Sequence, residues 1–290
     1  MLPFSRILNY GNDLNNVVLD GIYNQIGTYS NGTFDFGYSF RGNDIYVFGG
    51  VLSGASVSRA CFYFNADTPG TVVPLTSTPK MLFGFGCSTY GNKFYAFAGT
   101  TRNTPTGSNI ANTSCYYYDR STNTWVTITP TNAPTTGGYS KMVTVGNYLY
   151  LYGLGASNQL YRYDPELNSF TALSSSATTG TPWGLCTDGQ YLYTSKVNTI
   201  ERYDISNNTW STLQSSTGVS GNIMYLNGYL YIQDTNKFAR YKISTNTLEI
   251  ITTTIPYTRG ALLTHNNKVY SIMGYNSTAG APSNLIFEVR

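Results

Sequence analysis

"GNDIYVFGG" (42–50) reads as a tight polar turn, a strand of four large residues and a pair of glycines. The phrase returns as "GNKFYAFAG" (91–99), "GNYLYLYGL" (146–154) and "DGQYLYTSK" (188–196). The second-strand tyrosines are Tyr46, Tyr95, Tyr150, Tyr193, Tyr231 and Tyr270, spaced 49, 55, 43, 38 and 39 residues apart. Self-similarity at such a period marks a fold assembled from one repeated supersecondary unit.

Each unit carries a second phrase: "YYDRSTNTW" (117–125), "RYDPELNSF" (162–170), "RYDISNNTW" (202–210) and "RYKISTNTL" (240–248). Tyr118, Tyr163, Tyr203 and Tyr241 each precede Trp125, Phe170, Trp210 and Leu248 by seven residues. Phe64 and Phe287 take the tyrosine's place in the other two units. Period-two alternation predicts strands, four short ones per unit. Gly-Asn and Asp-Gly pairs supply the first turn, because both residue types tolerate positive φ. "STNT", "PELN" and "ISNN" supply the last turn, with Asp119, Asp164 and Asp204 capping backbone N–H groups. No segment carries a sustained helical period.

These residues resemble the kelch repeat, whose marks are a strand ending in a glycine pair and a Tyr-to-Trp step of this length. The full pair occurs only at Gly49–Gly50; single glycines remain at Gly99, Gly153 and Gly274, and the fourth and fifth units lack them. The resemblance implies an all-β, six-bladed kelch-type β-propeller with four-stranded antiparallel blades. A blade cannot bury both faces alone, so it is repeated around a ring. The expected single domain is 1–290, with blades near 34–75, 83–128, 138–173, 183–213, 221–251 and 259–290. The last blade ends at its third strand, "NLIFEVR". An N-terminal strand is expected to complete it, assigned to "LNNVVLDG" (14–21), with "RILNY" (6–10) as a further strand or arm.

Composition narrows the function. Charged residues are 11% of the chain, against roughly 25% in an average soluble protein. Asn, Thr, Ser and Tyr cover the polar role, which suits a surface exposed outside a cell or built into an assembly. Net charge is +3 with no basic run, which argues against nucleic acid as a partner. No run approaches ~20 apolar residues, so no membrane insertion is expected. The start of the sequence shows no signal-peptide pattern, and an extracellular location would need a leaderless route. Cys61, Cys87, Cys115 and Cys186 form no CxxC pair and read as small buried hydrophobes. With one histidine, His265, placed just before a turn, neither a zinc cluster nor a copper site of the kind found in kelch-like oxidases can be written. No cofactor and no metal are expected.

The second-to-third-strand intervals, 18, 23, 13, 10, 10 and 17 residues, are longest in the first, second and sixth units. Those units adjoin once the ring closes. Their loops are "GVLSGASVSR" (50–59), "GTTRNTPTGSNIANTS" (99–114) and "GYNSTAGAPSN" (274–284). They put Arg59, Arg102, Tyr275 and Asn276 on one face, where loops held by a rigid scaffold carry function. The first strand of each unit is expected to line a central channel. Ten or eleven residues before the tyrosines stand Phe36, Phe85, Tyr139, Trp183, Ser220 and Arg259. Aromatic faces suit sugar rings, and an arginine suits a carboxylate. Packing between blades is the ordinary alternative use of such aromatics.

No acid/base pair or nucleophile arrangement stands out, so no catalytic residue is assigned. The expected function is a non-catalytic recognition or structural propeller. A bacteriophage virion or other surface-exposed assembly, multi-copy in architecture, is the expected setting, with a cell-surface glycan or a neighbouring assembly protein as partner. A cytoplasmic location is the alternative. Sialic-acid epimerases also resemble this repeat. They imply the alternative of a sugar-processing enzyme working in the channel, with Asp35, Arg41, Glu201 and Arg259 as its few charged candidates.

Overall fold

The computed structural model describes residues 18–29, 32–154, 157–253, 257–265 and 268–290. Segment 1–17, with the expected strand 6–10, lies outside them, as does the side chain of His265. The fold is an all-β propeller. The first blade runs from the inside outwards as Gly37–Arg41, Asp44–Phe48, Cys61–Asn65 and Thr68–Leu75, each strand antiparallel to the next. The same order recurs in four further blades, whose inner strands are Gly86–Tyr90, Lys141–Val145, Gly184–Thr187 and Asn222–Leu226. In the last blade Ala261–His265, Lys268–Asn276 and Ala281–Val289 are joined on the outside by Tyr23–Thr28.

That N-terminal strand pairs Tyr23 with Val289 and Thr28 with Leu285, closing the ring. It replaces the strand expected at 14–21, of which Val18–Gly21 are described and are not a strand. Gly21, at φ 71°, turns the chain into it, and a Cβ there would meet the Phe238 ring at about 3 Å. Leu19 instead plugs the seam between the last two blades. Leu19 is therefore an anchor. The true strand, "YNQIGT", is an outer edge that buries little, so it has no hydrophobic pattern to read.

There is no single core. Six apolar clusters lie between neighbouring blades and run round the ring. Ile45 and Val47 pack towards the last blade, whereas Tyr46 and Phe48 pack towards the second. Ile45 to Phe48 are all buried. The period of two sorts side chains between two neighbours, not between core and water, because the second strand of each blade is covered on both faces.

The "N-T-W" phrase locks one blade to the one before it. Asn123, in a left-handed conformation (φ 54°), accepts from the Tyr118 hydroxyl at 2.8 Å and from the Thr76 amide of the preceding blade at 3.0 Å. Trp125 Nε1 donates to the Thr76 carbonyl at 2.9 Å. Asn208, Tyr203, Trp210 and Ser174 repeat the arrangement two blades on. Asp119, Asp164 and Asp204 accept from backbone amides two residues later. The structural reading of those repeated carboxylates therefore holds.

Candidate functional site

Where the first, second and sixth blades leave their second strands, the chain is left-handed twice in succession. Gly49 and Gly50 have φ of 61° and 100°, Ala98 and Gly99 59° and 83°, and Met273 and Gly274 51° and 112°. The fourth and fifth blades turn back at once, with Asn198 and Asn236 at positive φ. The third blade exits likewise through Gly153 and Leu154, at φ 115° and 44°; the glycine-marked exits thus release the longer connections and the fourth and fifth blades form plain hairpins.

Two of the expected long loops contain strand. Thr100–Arg102 and Ile110–Ala111 form a hairpin that pairs with Met81–Phe83 as a small separate sheet. In the last blade the hairpin continues past a bulge at 272–274, with its strands running to Asn276 and resuming at Ala281. The first-blade loop carries a short 3-10 turn, Ser53–Ala55. The loops are tied to one another: the Val57 amide donates to the Pro105 carbonyl at 2.8 Å, and Arg102 Nη1 donates to the Ala55 carbonyl at 2.5 Å. Phe34 contacts Tyr275 across the first-to-last blade seam, centroids 5.1 Å apart.

Beside this platform a groove of about 330 Å³ is lined by Arg59, Lys80 and Arg102 with Asn103, Asn112 and Ser114, and no carboxylate is among its lining residues. Arg59 donates through Nε to the Thr78 carbonyl at 2.6 Å, leaving the rest of its guanidinium facing water. Among the described residues Lys80 reaches only the Ser114 hydroxyl, at 3.3 Å. Arg102 is committed more deeply, to Asn109 as well as the two loop carbonyls.

At the channel mouth Arg259 and Asp35 form an ion pair, with Arg259 Nε donating to Asp35 Oδ1 at 2.9 Å. The Tyr139 hydroxyl donates to Asp35 Oδ2 at 3.0 Å and lies 3.1 Å from Arg259 Nη2. The guanidinium also lies over the Phe34 ring, 4.6 Å from its centroid. Burial, then the Asp35 charge, pushes the Tyr139 phenol up to about 12, so it stays protonated as a donor. The backbone repeats the link: Asp35 N donates to Arg259 O, Gly84 N to Asp35 O, and Ser140 N to Gly84 O. Arg259 thus joins the last blade to the first and spends its charge on Asp35. Arg259→Met is expected to cost about 1–3 kcal/mol, moderated because the guanidinium is partly in water. Denaturant unfolding checks this.

The other sequence-selected residues fall in different places. Phe36 and Phe85 edge the channel but are almost wholly buried in interblade clusters. Trp183 is half-buried, its amide bonded to the Ser195 carbonyl and its indole N–H without a partner among the described residues. Ser220 accepts from the Asn198 amide in a hairpin turn. Asn276 uses its side chain to cap its own turn, accepting from the amides of Thr278 and Ala279. Glu201 does not face the channel: it is sealed against Lys196 at 2.9 Å, with side-chain exposures of 2% and 1%.

Two residues went unselected. Lys80 sits in a connection between blades, where no pattern flags it. Lys141 lines the channel. Paired with Tyr152, it takes the register position that Gly37, Gly86, Gly184, Asn222 and Ala261 hold in the other blades. A lone charge in that aligned column was a visible signal.

A Kelch motif family model matches residues 81–132, which cover the second blade and the strand leading into it. Among solved structures, one titled "Structure of YjhT" superposes with a TM-score of 0.77 at 11% identity, covering 90% of this chain and 95% of that one. That likeness is one of fold. A search of curated protein sequences finds no match.

Proposed function

We propose that the chain, a β-propeller whose residues 81–132 match a Kelch motif, is a non-catalytic recognition module of a surface-exposed assembly such as a virion, engaging a cell-surface glycan. The observation that carries the reading is the groove of Arg59, Lys80 and Arg102, held beside three interlocked loops with no carboxylate lining it. A rigid platform loses little conformational entropy on binding. Amide and hydroxyl side chains along the groove match the hydrogen-bonding pattern of sugars, and the cations select an acidic one. The sparsely charged remainder of the surface adds little competing field.

The test is a glycan array with wild-type protein and the Arg59→Gln/Lys80→Gln double variant. Arg102 is left intact because it holds the loops together. Acidic glycans are expected to bind, to weaken as salt rises, and to lose about tenfold in affinity in the variant, equivalent to about 1.4 kcal/mol. A silent array, or hits on neutral glycans that the variant leaves unchanged, would reject the reading. A silent array together with a protein partner captured by the same face would make the platform an assembly interface.

A further inference from the structure

The six inner strands enclose a central cavity of about 510 Å³. Its wall is mainly apolar, with Phe40, Leu185, Ile223, Met224 and Leu263 contributing. Hydroxyl groups interrupt it, but several are already satisfied within the wall: Ser39 bonds Thr89, and Ser88 bonds Thr144 at 2.7 Å. Lys141 is the one charged side chain among the lining residues. It has no hydrogen bond or ion pair among the described residues. The nearby Asp35 carboxylate cannot serve it fully, being held by Arg259 and Tyr139.

A cation in a mostly apolar cavity is costly unless something neutralises it. Burial accordingly lowers the Lys141 amine's affinity for its proton; Asp35 offsets this in part, and Arg259 adds to it. The wall also holds Tyr38, whose phenol burial pushes up to about 12, so that it remains a donor.

We propose that the central channel binds a small organic monocarboxylate with an apolar body, and that the Lys141 ammonium is its counter-ion. One positive charge balances one negative charge. A phosphate or sulfate dianion would leave a surplus charge in the cavity, and an uncharged ligand would leave Lys141 unpaired. The apolar wall accepts the body of the acid, and the volume exceeds what a bare carboxylate or chloride fills. This site is separate from the surface groove, and neither depends on the other.

The experiment uses benzoate, benzamide, benzylamine and chloride as probes, in chloride-free buffer for the organic ones. Binding is followed by calorimetry and by ligand-observed NMR on wild-type protein and Lys141→Met. Benzoate is expected to bind wild type at least about tenfold more tightly than benzamide or benzylamine, the scale of one well-placed charge. Lys141→Met should lose that preference. Its thermal midpoint should be no lower than wild type, because an unneutralised cation has been removed, which separates lost binding from lost folding. Lys141→Arg, which keeps the charge, should retain the preference. Benzoate that binds no better than benzamide, or as well to Lys141→Met as to wild type, overturns the proposal. So does chloride that competes on equal terms.

Discussion

Lys196→Met should destabilise the protein by about 3–5 kcal/mol, the scale found when one partner of a buried ion pair is removed. Lys196 and Glu201 face each other across a hairpin with almost no solvent contact. Ser176 donates to both Glu201 oxygens, at 2.8 and 2.9 Å, and Lys196 Nζ donates to the Thr178 carbonyl at 2.6 Å. The pair thus pins the connection from the third blade to the fourth blade's hairpin. Without Lys196 the carboxylate keeps its desolvation cost and loses its main compensation. Stabilities of about 5–15 kcal/mol make such a loss a large share of the whole. Replacing both partners, as Lys196→Met with Glu201→Leu, should recover much of it, because no buried charge is left behind. Equilibrium denaturation of the single and double variants decides this. A single-variant loss below about 1 kcal/mol would mean that water reaches the pair.

The second large effect is expected at the glycine pair. Gly50→Ala should cost at least about 2 kcal/mol, combining an unfavourable backbone region with a clash. Its φ of 100° lies beyond the left-handed well that L residues reach most readily. A Cβ would stand 2.4 Å from Thr33 Oγ1, 2.9 Å from the Phe36 Cβ and 3.0 Å from the Phe34 carbonyl oxygen. Those neighbours belong to the segment carrying Asp35, so the damage should also reach the Asp35–Arg259 pair. Gly42→Ala is the control. Gly42 also has positive φ, 56°, but its Cβ would meet nothing within 4 Å. It should cost about 1–2 kcal/mol, the backbone penalty alone. Equal losses at the two positions would refute the close-approach argument. Thermal or denaturant unfolding of both variants is sufficient.

Much of the fold was legible because it repeats. Each second-strand tyrosine, each Asx-type turn and each Tyr-to-Trp step is a local requirement met again in the next blade. The glycine losses in the fourth and fifth units match their short hairpins, since a chain that turns back at once needs only the single left-handed residue that Asn198 and Asn236 supply. The closing strand escaped because an outer edge strand is half in water and carries no apolar rhythm. Leu19, just before it, proved to be an anchor between blades.

The site was legible only in part. Loop lengths correctly brought Arg59 and Arg102 to one face, since chain length between strands needs no tertiary knowledge. Arg259 was identified as a channel-mouth charge, yet what it does depends on Asp35, 224 positions away in sequence. Glu201 had the same difficulty. A charge is a property of one residue, but its availability depends on whatever the ring brings beside it. Repeat, strand content and alternation were therefore determined by residues a few positions apart, where periodic burial imposes them. Which charges are paired within the protein, as in Asp35–Arg259 and Lys196–Glu201, and which have no carboxylate partner among the described residues, as at Lys141 and in the Arg59–Lys80 groove, was decided when ring closure set distant residues within a few ångströms of one another.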